Sequence, residues 1–387
     1  MTDIRLPKGA NMRDVFDACK KAGLPSLAQG MIEYPPPDKL RKLAAETVMQ
    51  EDVHTYRTRM GEDDFKAGIT KMVKRAYNEV ISPAEVLAVP GVAGGVSAAL
   101  LHLRKLNPSA VVAVLEPYYT FHTSEVERAF HRPPITIPSS GSDAMPNLEE
   151  LKRLVEAGEV QGVIVTNPHN PSGYVFKQDE VDMLAKLSES HGLFVIFDEC
   201  YVGMVFQEEF TTGLSRGTMK NVVVCRGFSK SIGAQSWRVG YAVSTPETIQ
   251  GMMVMMDPLY ICVNWTQHAI AKYFANHVDD FVEHNKALNE LLQGNWVILR
   301  DAFAKRFGWE PLEPKGTMYG MFRHHEATDV KACEMALQAG VGICPGNIFY
   351  GDQSNVYDHT GWVRIHYGVS REKAEAIAAK LLSGVPA

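Results

Sequence analysis

Leu193-Phe194-Val195-Ile196-Phe197-Asp198-Glu199-Cys200-Tyr201 decides the fold. Five apolar residues in succession end on a carboxylate, which reads as a central strand with Asp198 at its carboxyl end. Open α/β sheets place their ligands at such ends. Outward from this run, residues 86–245 alternate short β-branched segments with amphipathic stretches, the pattern of strands joined by crossover helices. The spacing predicts strands over 86–89, 111–115, 162–166, 193–197, 221–225 and 239–244. Helices are predicted over 94–106, 148–157 and 179–191. The class is α/β, with a mostly parallel central sheet flanked by helices.

Residues 277–307 form a helical pattern without proline, predicted as a long connecting helix. Beyond it, strands over 318–323 and 362–366 and helices over 330–339 and 371–382 make a smaller α+β domain. The expected division is 1–45, 46–285 and 286–387. The first 45 residues, with Tyr34-Pro35-Pro36-Pro37, look too irregular to fold alone and are expected to pack on the small domain and a partner subunit.

The 387 residues exceed what a single core organises, so two domains sharing a crevice are the natural expectation. A net charge of −6 spread along the chain offers no basic block for nucleic acid, and no apolar run is long enough to span a membrane. Small-molecule substrates are expected. Six cysteines without CxxC or Cys/His spacing point to free thiols in a reducing cytoplasm and to no metal site.

Chemistry enters with Gly227-Phe228-Ser229-Lys230-Ser231 and Trp237-Arg238-Val239-Gly240. An amine just past a strand, with an arginine eight residues on, is what a Schiff-base cofactor with a phosphate tail requires. Gly91-Val92-Ala93-Gly94-Gly95 follows a strand and opens a helix, so its free amides make an anion site. Asp198 can hold a pyridine nitrogen protonated, although strand-end aspartates also serve as turns or caps. Asn170 in Asn167-Pro168-His169-Asn170-Pro171-Ser172-Gly173 is presented from a rigid turn. Tyr201 can reach the same cofactor oxygen or be a core ring. Arg364, in the otherwise apolar Trp362-Val363-Arg364-Ile365-His366, needs an anion: a substrate carboxylate or an internal acid. Together these features point to pyridoxal phosphate.

The motifs "NPHNPSG", "FDECY", "SK" with "RVG", and "RIHYG" keep their order and spacing, and over most of its length the chain resembles the fold type I pyridoxal-phosphate-dependent aminotransferases of the aspartate aminotransferase type. The resemblance implies that Lys230 is the Schiff-base lysine and proton carrier, and Asp198 the partner of the pyridine nitrogen. Asn170 and Tyr201 match the phenolate contacts, and Tyr119 the ring-stacking aromatic. Val92, Ala93 and Arg238 match the phosphate ligands. Tyr56, five residues before Gly61, resembles the tyrosine that reaches the neighbouring subunit's phosphate, which implies a homodimer with shared sites. Arg364 resembles the α-carboxylate arginine, and Gly30 the glycine that closes over substrate.

Two departures accompany the match. Gly227 stands where the family has a serine or threonine, leaving Ser229 or a water to replace that phosphate contact. No arginine or lysine for a second substrate carboxylate is evident near Asn264-Trp265-Thr266 or in the phosphate turn. The expected reaction is transfer of an amino group from an L-amino acid with a neutral, aromatic or sulfur-containing side chain to a 2-oxo acid. The alternative is a lyase or cyclase acting at the β- or γ-carbon.

Overall fold

The computed structural model describes residues 4–139, 144–206, 210–256, 262–351 and 360–383. Its helices are α1 (Met12–Ala22), α2 (Asp38–Val48), α3 (Asp63–Tyr77), α4 (Gly91–Leu106), α5 (Thr120–Phe130), α6 (Leu148–Glu156), α7 (Gln178–His191), α8 (Phe228–Ser231), α9 (Pro246–Met256), α10 (Asn264–Asn276), α11 (Val278–Phe307), α12 (Asp329–Ala339) and α13 (Arg371–Leu382). The strands of the larger sheet are β1 (Val86–Val89), β2 (Val112–Leu115), β3 (Ile135–Ile137), β4 (Gly162–Thr166), β5 (Phe194–Asp198), β6 (Val222–Gly227) and β7 (Gly240–Val243). A second sheet holds β8 (Glu310–Leu312), β9 (Tyr319–Arg323), β10 (Cys344–Pro345) and β11 (Trp362–His366).

The larger sheet has the order β1-β7-β6-β5-β4-β2-β3. Strands β2 to β6 pair in parallel. Helices cover both faces, so these strands need apolar residues at every position rather than at alternate ones. Val195, Phe197, Val222 and Val224 pack into the core on one face. Phe194, Ile196, Val223 and Cys225 pack into the core on the other. The expected mostly parallel α/β sheet is thus the one the chain builds. The odd strand is β7, antiparallel to both β1 and β6. The connection before it, residues 228–239, turns back past α8 and a short 3-10 turn instead of crossing over.

The second sheet is antiparallel, in the order β10-β11-β9-β8. It buries Phe322, Val363 and Ile365 against Trp296, Leu299 and Phe303 of α11 and Ala374 and Ile377 of α13.

The N-terminal stretch is more regular than its sequence suggested. Asn11 caps α1 by accepting from the N–H groups of Arg13 and Asp14, and Asp14 closes a capping box. Through Val15 and Cys19, α1 packs on Leu337, Cys344 and Phe349. The chain then runs beside the small sheet, where Leu27 N–H donates to Gly342 O and His366 N–H to Leu27 O. In contrast α2 packs on α10, part of the larger unit.

Candidate active site

A cavity of about 250 Å³ opens at the carboxyl ends of β5 and β6. Gly30, Val92, Ala93, Tyr119, Asn170, Asp198, Tyr201, Ser229, Lys230, Arg238 and Arg364, scattered over the sequence, all line it. Tyr56 does not: it is 92% exposed and borders a separate depression with Cys262 and Trp265.

One end of the cavity is an anion cradle. Val92 and Ala93 lie in the first turn of α4, where backbone N–H groups lack helical partners and the helix dipole is positive. Gly91, at φ +75°, lets the Arg238 side chain lie against the backbone; a Cβ there would stand 2.7 Å from Arg238 Nη2. The guanidinium is fixed from behind by the carbonyls of Gln235 and Pro90, each at 3.2 Å. The missing hydroxyl at position 227 has a local reason, since a Cβ on Gly227 would meet Val92 Cγ2 at 3.1 Å. The isopropyl group of Val92 and the absence of a side chain at 227 are one packing solution.

Asp198, 5% exposed, lines the same cavity. Its Oδ1 accepts from Cys200 N–H at 3.0 Å, and its Oδ2 lies 2.9 Å from His122 Nε2. His122 was not singled out in the sequence. It is three residues after Tyr119, on the same face of the first turn of α5, and that spacing is the signal that could have found it. The two rings meet edge to face at 5.5 Å. Behind them, burial and the neighbouring His122 hold the His169 imidazole down to about 3, so it stays neutral, its Nδ1 2.7 Å from Ser172 Oγ.

Asn170 Nδ2 and Tyr201 OH, 3.4 Å apart, present two donors to the same cavity. Burial, with Tyr319 alongside, pushes the phenols of Tyr119 and Tyr201 well above their ordinary range, so both remain protonated. Burial and nearby Asp198 likewise push the Cys200 thiol up to about 12. That thiol is no nucleophile. Lys230 Nζ donates to Gly30 O at 2.8 Å, tying the N-terminal segment to the amine. A Cβ on Gly30 would run into the Tyr319 hydroxyl.

Arg364 faces inward from β11 and is 2% exposed. No carboxylate pairs with it among the described residues. Nη1 donates to Asn170 Oδ1 at 2.9 Å and Nη2 to Ala28 O at 2.7 Å, while Nε has no partner. The guanidinium packs against the rings of Tyr319 (4.2 Å) and Phe349 (4.7 Å). Neither ring was foreseen. Met12, Gln29, Tyr319, Ile348 and Phe349 also line the cavity, and its cationic side chains among the described residues are Lys230, Arg238 and Arg364.

The family model for aminotransferases of class I and II matches residues 24–381. Among curated proteins, the aspartate aminotransferase of Thermotoga maritima is 26% identical over 351 residues, 90% of this chain and 88% of that protein. The aspartate/prephenate aminotransferase of Thermus thermophilus is 24% identical, over 95% of this chain and 87% of that one. Among solved structures, a double mutant of Thermus thermophilus aspartate aminotransferase superposes with a TM-score of 0.83 at 20% identity, covering 96% of this chain and 94% of that one. The aromatic aminotransferase of Pyrococcus horikoshii superposes at 0.80 with 23% identity, covering 96% and 97%.

Aminotransferases of this class work with pyridoxal phosphate, and the donors present here fit that group. The cavity holds an amine, a buried carboxylate, two converging neutral donors and a helix N-terminus backed by a guanidinium.

Proposed function

The chain belongs to the aminotransferase class I and II family and is a pyridoxal-phosphate-dependent transaminase; from that premise we propose that its amino donor is an L-amino acid with a neutral side chain, aromatic or sulfur-containing, and that a 2-oxo acid is the acceptor. The observation carrying this substrate class is the wall beside Arg364. Met12, Tyr319, Ile348 and Phe349 offer a largely apolar, aromatic surface, and among the described residues no fourth cation lines the cavity for a second carboxylate. An acidic side chain there would be desolvated without a counter-charge.

The residues then divide the work. The bound cofactor supplies an electron sink for the bond that breaks at the substrate α-carbon. Lys230 Nζ would hold it covalently and, as a free amine, would be the base that takes the α-proton. Asp198, oriented by His122 and Cys200 N–H, holds a proton on the ring nitrogen. Asn170 Nδ2 and Tyr201 OH donate to the ring oxygen, Tyr119 stacks on the ring, and Val92, Ala93, Ser229 and Arg238 hold the phosphate. Arg364 binds the α-carboxylate, with Asn170 locking the fork through Nη1. Gly30 lies where it can close over the substrate.

We further propose a homodimer with shared active sites. Tyr56, exposed beside Trp265 in a single chain, serves the partner's phosphate in this reading.

The half-reaction tests this assignment. Phenylalanine or methionine, added without oxo acid, should change the cofactor's visible absorbance by one equivalent and stop, and aspartate should do so far more slowly. Continuous ammonia release would indicate elimination instead. Aspartate as the best donor would overturn the substrate class.

A further inference from the structure

Two hydrogen bonds join the loop after β2 to the segment after β10. Glu116 Oε1 accepts from Gly351 N–H at 2.7 Å, and Tyr118 N–H donates to Phe349 O at 2.8 Å. Glu116 is 2% exposed. It also receives the Thr136 hydroxyl, with no cation beside it among the described residues. A carboxylate buried without a counter-charge is a poor way to gain stability, because its desolvation is not offset by attraction. Its value must lie in what it holds. Gly351 is closely confined there, since a Cβ would stand 2.7 Å from Thr136 Oγ1 and 3.0 Å from Glu116 Oε1.

The segment so held bears directly on the site. Two residues before Gly351, Phe349 packs its ring on the Arg364 guanidinium, as Tyr319 does. Two residues after Tyr118's neighbour Pro117, on the large-sheet side of the same junction, is Tyr119 in the cavity wall. We propose that Glu116 is a positioning residue: by accepting the Gly351 N–H it fixes the segment carrying Phe349, and so sets the orientation in which Arg364 meets the substrate carboxylate. The inference rests on the reading of Arg364 given above.

The test uses the holoenzyme with Glu116→Ala, which removes the acceptor, and Glu116→Gln, which keeps a carbonyl oxygen in its place. The alanine variant should raise KM for both amino donor and 2-oxo acid about tenfold, the usual scale for losing one such bond. Its kcat at saturation should stay within about twofold, since the reacting atoms are untouched. The glutamine variant should restore KM. Unchanged KM in the alanine variant, or equal damage in both, would overturn the proposal.

If the alanine variant does not fold, Gly351→Ala probes the same contact from the other side, and an unchanged KM there would equally overturn it. Amide exchange over residues 346–351 separates the two readings. Faster exchange in Glu116→Ala supports the latch even if the wild-type enzyme fails to transaminate, whereas unaltered exchange sinks the latch whatever Arg364 binds.

Discussion

His122 Nε2 stands 2.9 Å from Asp198 Oδ2, with both side chains buried. Cys200 N–H holds the other carboxylate oxygen. Asp198 is thereby aimed from two sides, with both of its oxygens held in place.

Asp198→Asn should therefore lower kcat by about 10²-fold or more, the scale seen when a preorganised electrostatic group is removed. His122→Phe should cost less, about tenfold, because the Asp198 carboxyl itself is kept and so is its bond from Cys200 N–H. Single-turnover rates measured with the cofactor saturated check both. Equal losses would mean that His122 does more than orient.

Arg364→Lys should lower kcat/KM by about 10²-fold. A lysine keeps the charge but cannot donate to Asn170 Oδ1, Ala28 O and a bidentate carboxylate from one plane. The loss should fall mainly on KM, read from initial rates against amino acid concentration.

Gly91→Ala should weaken the cofactor rather than the substrate. The added methyl would stand 2.7 Å from Arg238 Nη2 at a backbone φ of +75°. Displacing the guanidinium removes the fixed charge at the N-terminus of α4. Titration of the apoenzyme should show Kd for pyridoxal phosphate raised about tenfold or more.

Acid should destabilise the fold through its buried imidazoles. Burial holds His169 and His366 down to about 3, helped by His122 and Arg364 respectively. Above pH 6.5 both the folded and the unfolded chain keep these rings neutral, and nothing is lost. Between pH 6.5 and about 3 only the unfolded chain takes up the protons, so stability falls as the pH falls. At pH 5 each ring accounts for about 2 kcal/mol. Unfolding at pH 7 and pH 5 should show a smaller drop in His366→Gln than in the wild type.

The parts legible from sequence were those written locally. Apolar runs marked β1, β4 and β11 with the bounds observed, because a strand buried on both faces has little freedom of composition. The amine, the carboxylate and the arginines belong to short motifs with definite spacing, and the fold brings eleven of those residues to one cavity. What escaped notice depends on pairing across distance. His122 meets a residue 76 positions away, and Tyr319 and Phe349 flank Arg364 only because β9 pairs with β11 and the chain after β10 folds back on them. The direction of β7 was equally invisible, since a turn that doubles back and one that crosses over can share a composition.

The most direct measurement is borohydride reduction of the holoenzyme followed by peptide mass spectrometry. The expected result is a single phosphopyridoxyl label on the peptide containing Lys230, absent from Lys230→Ala together with turnover. A label on another amine, no label at all, or multiple turnovers retained by Lys230→Ala would contradict the assignment on which every other role depends.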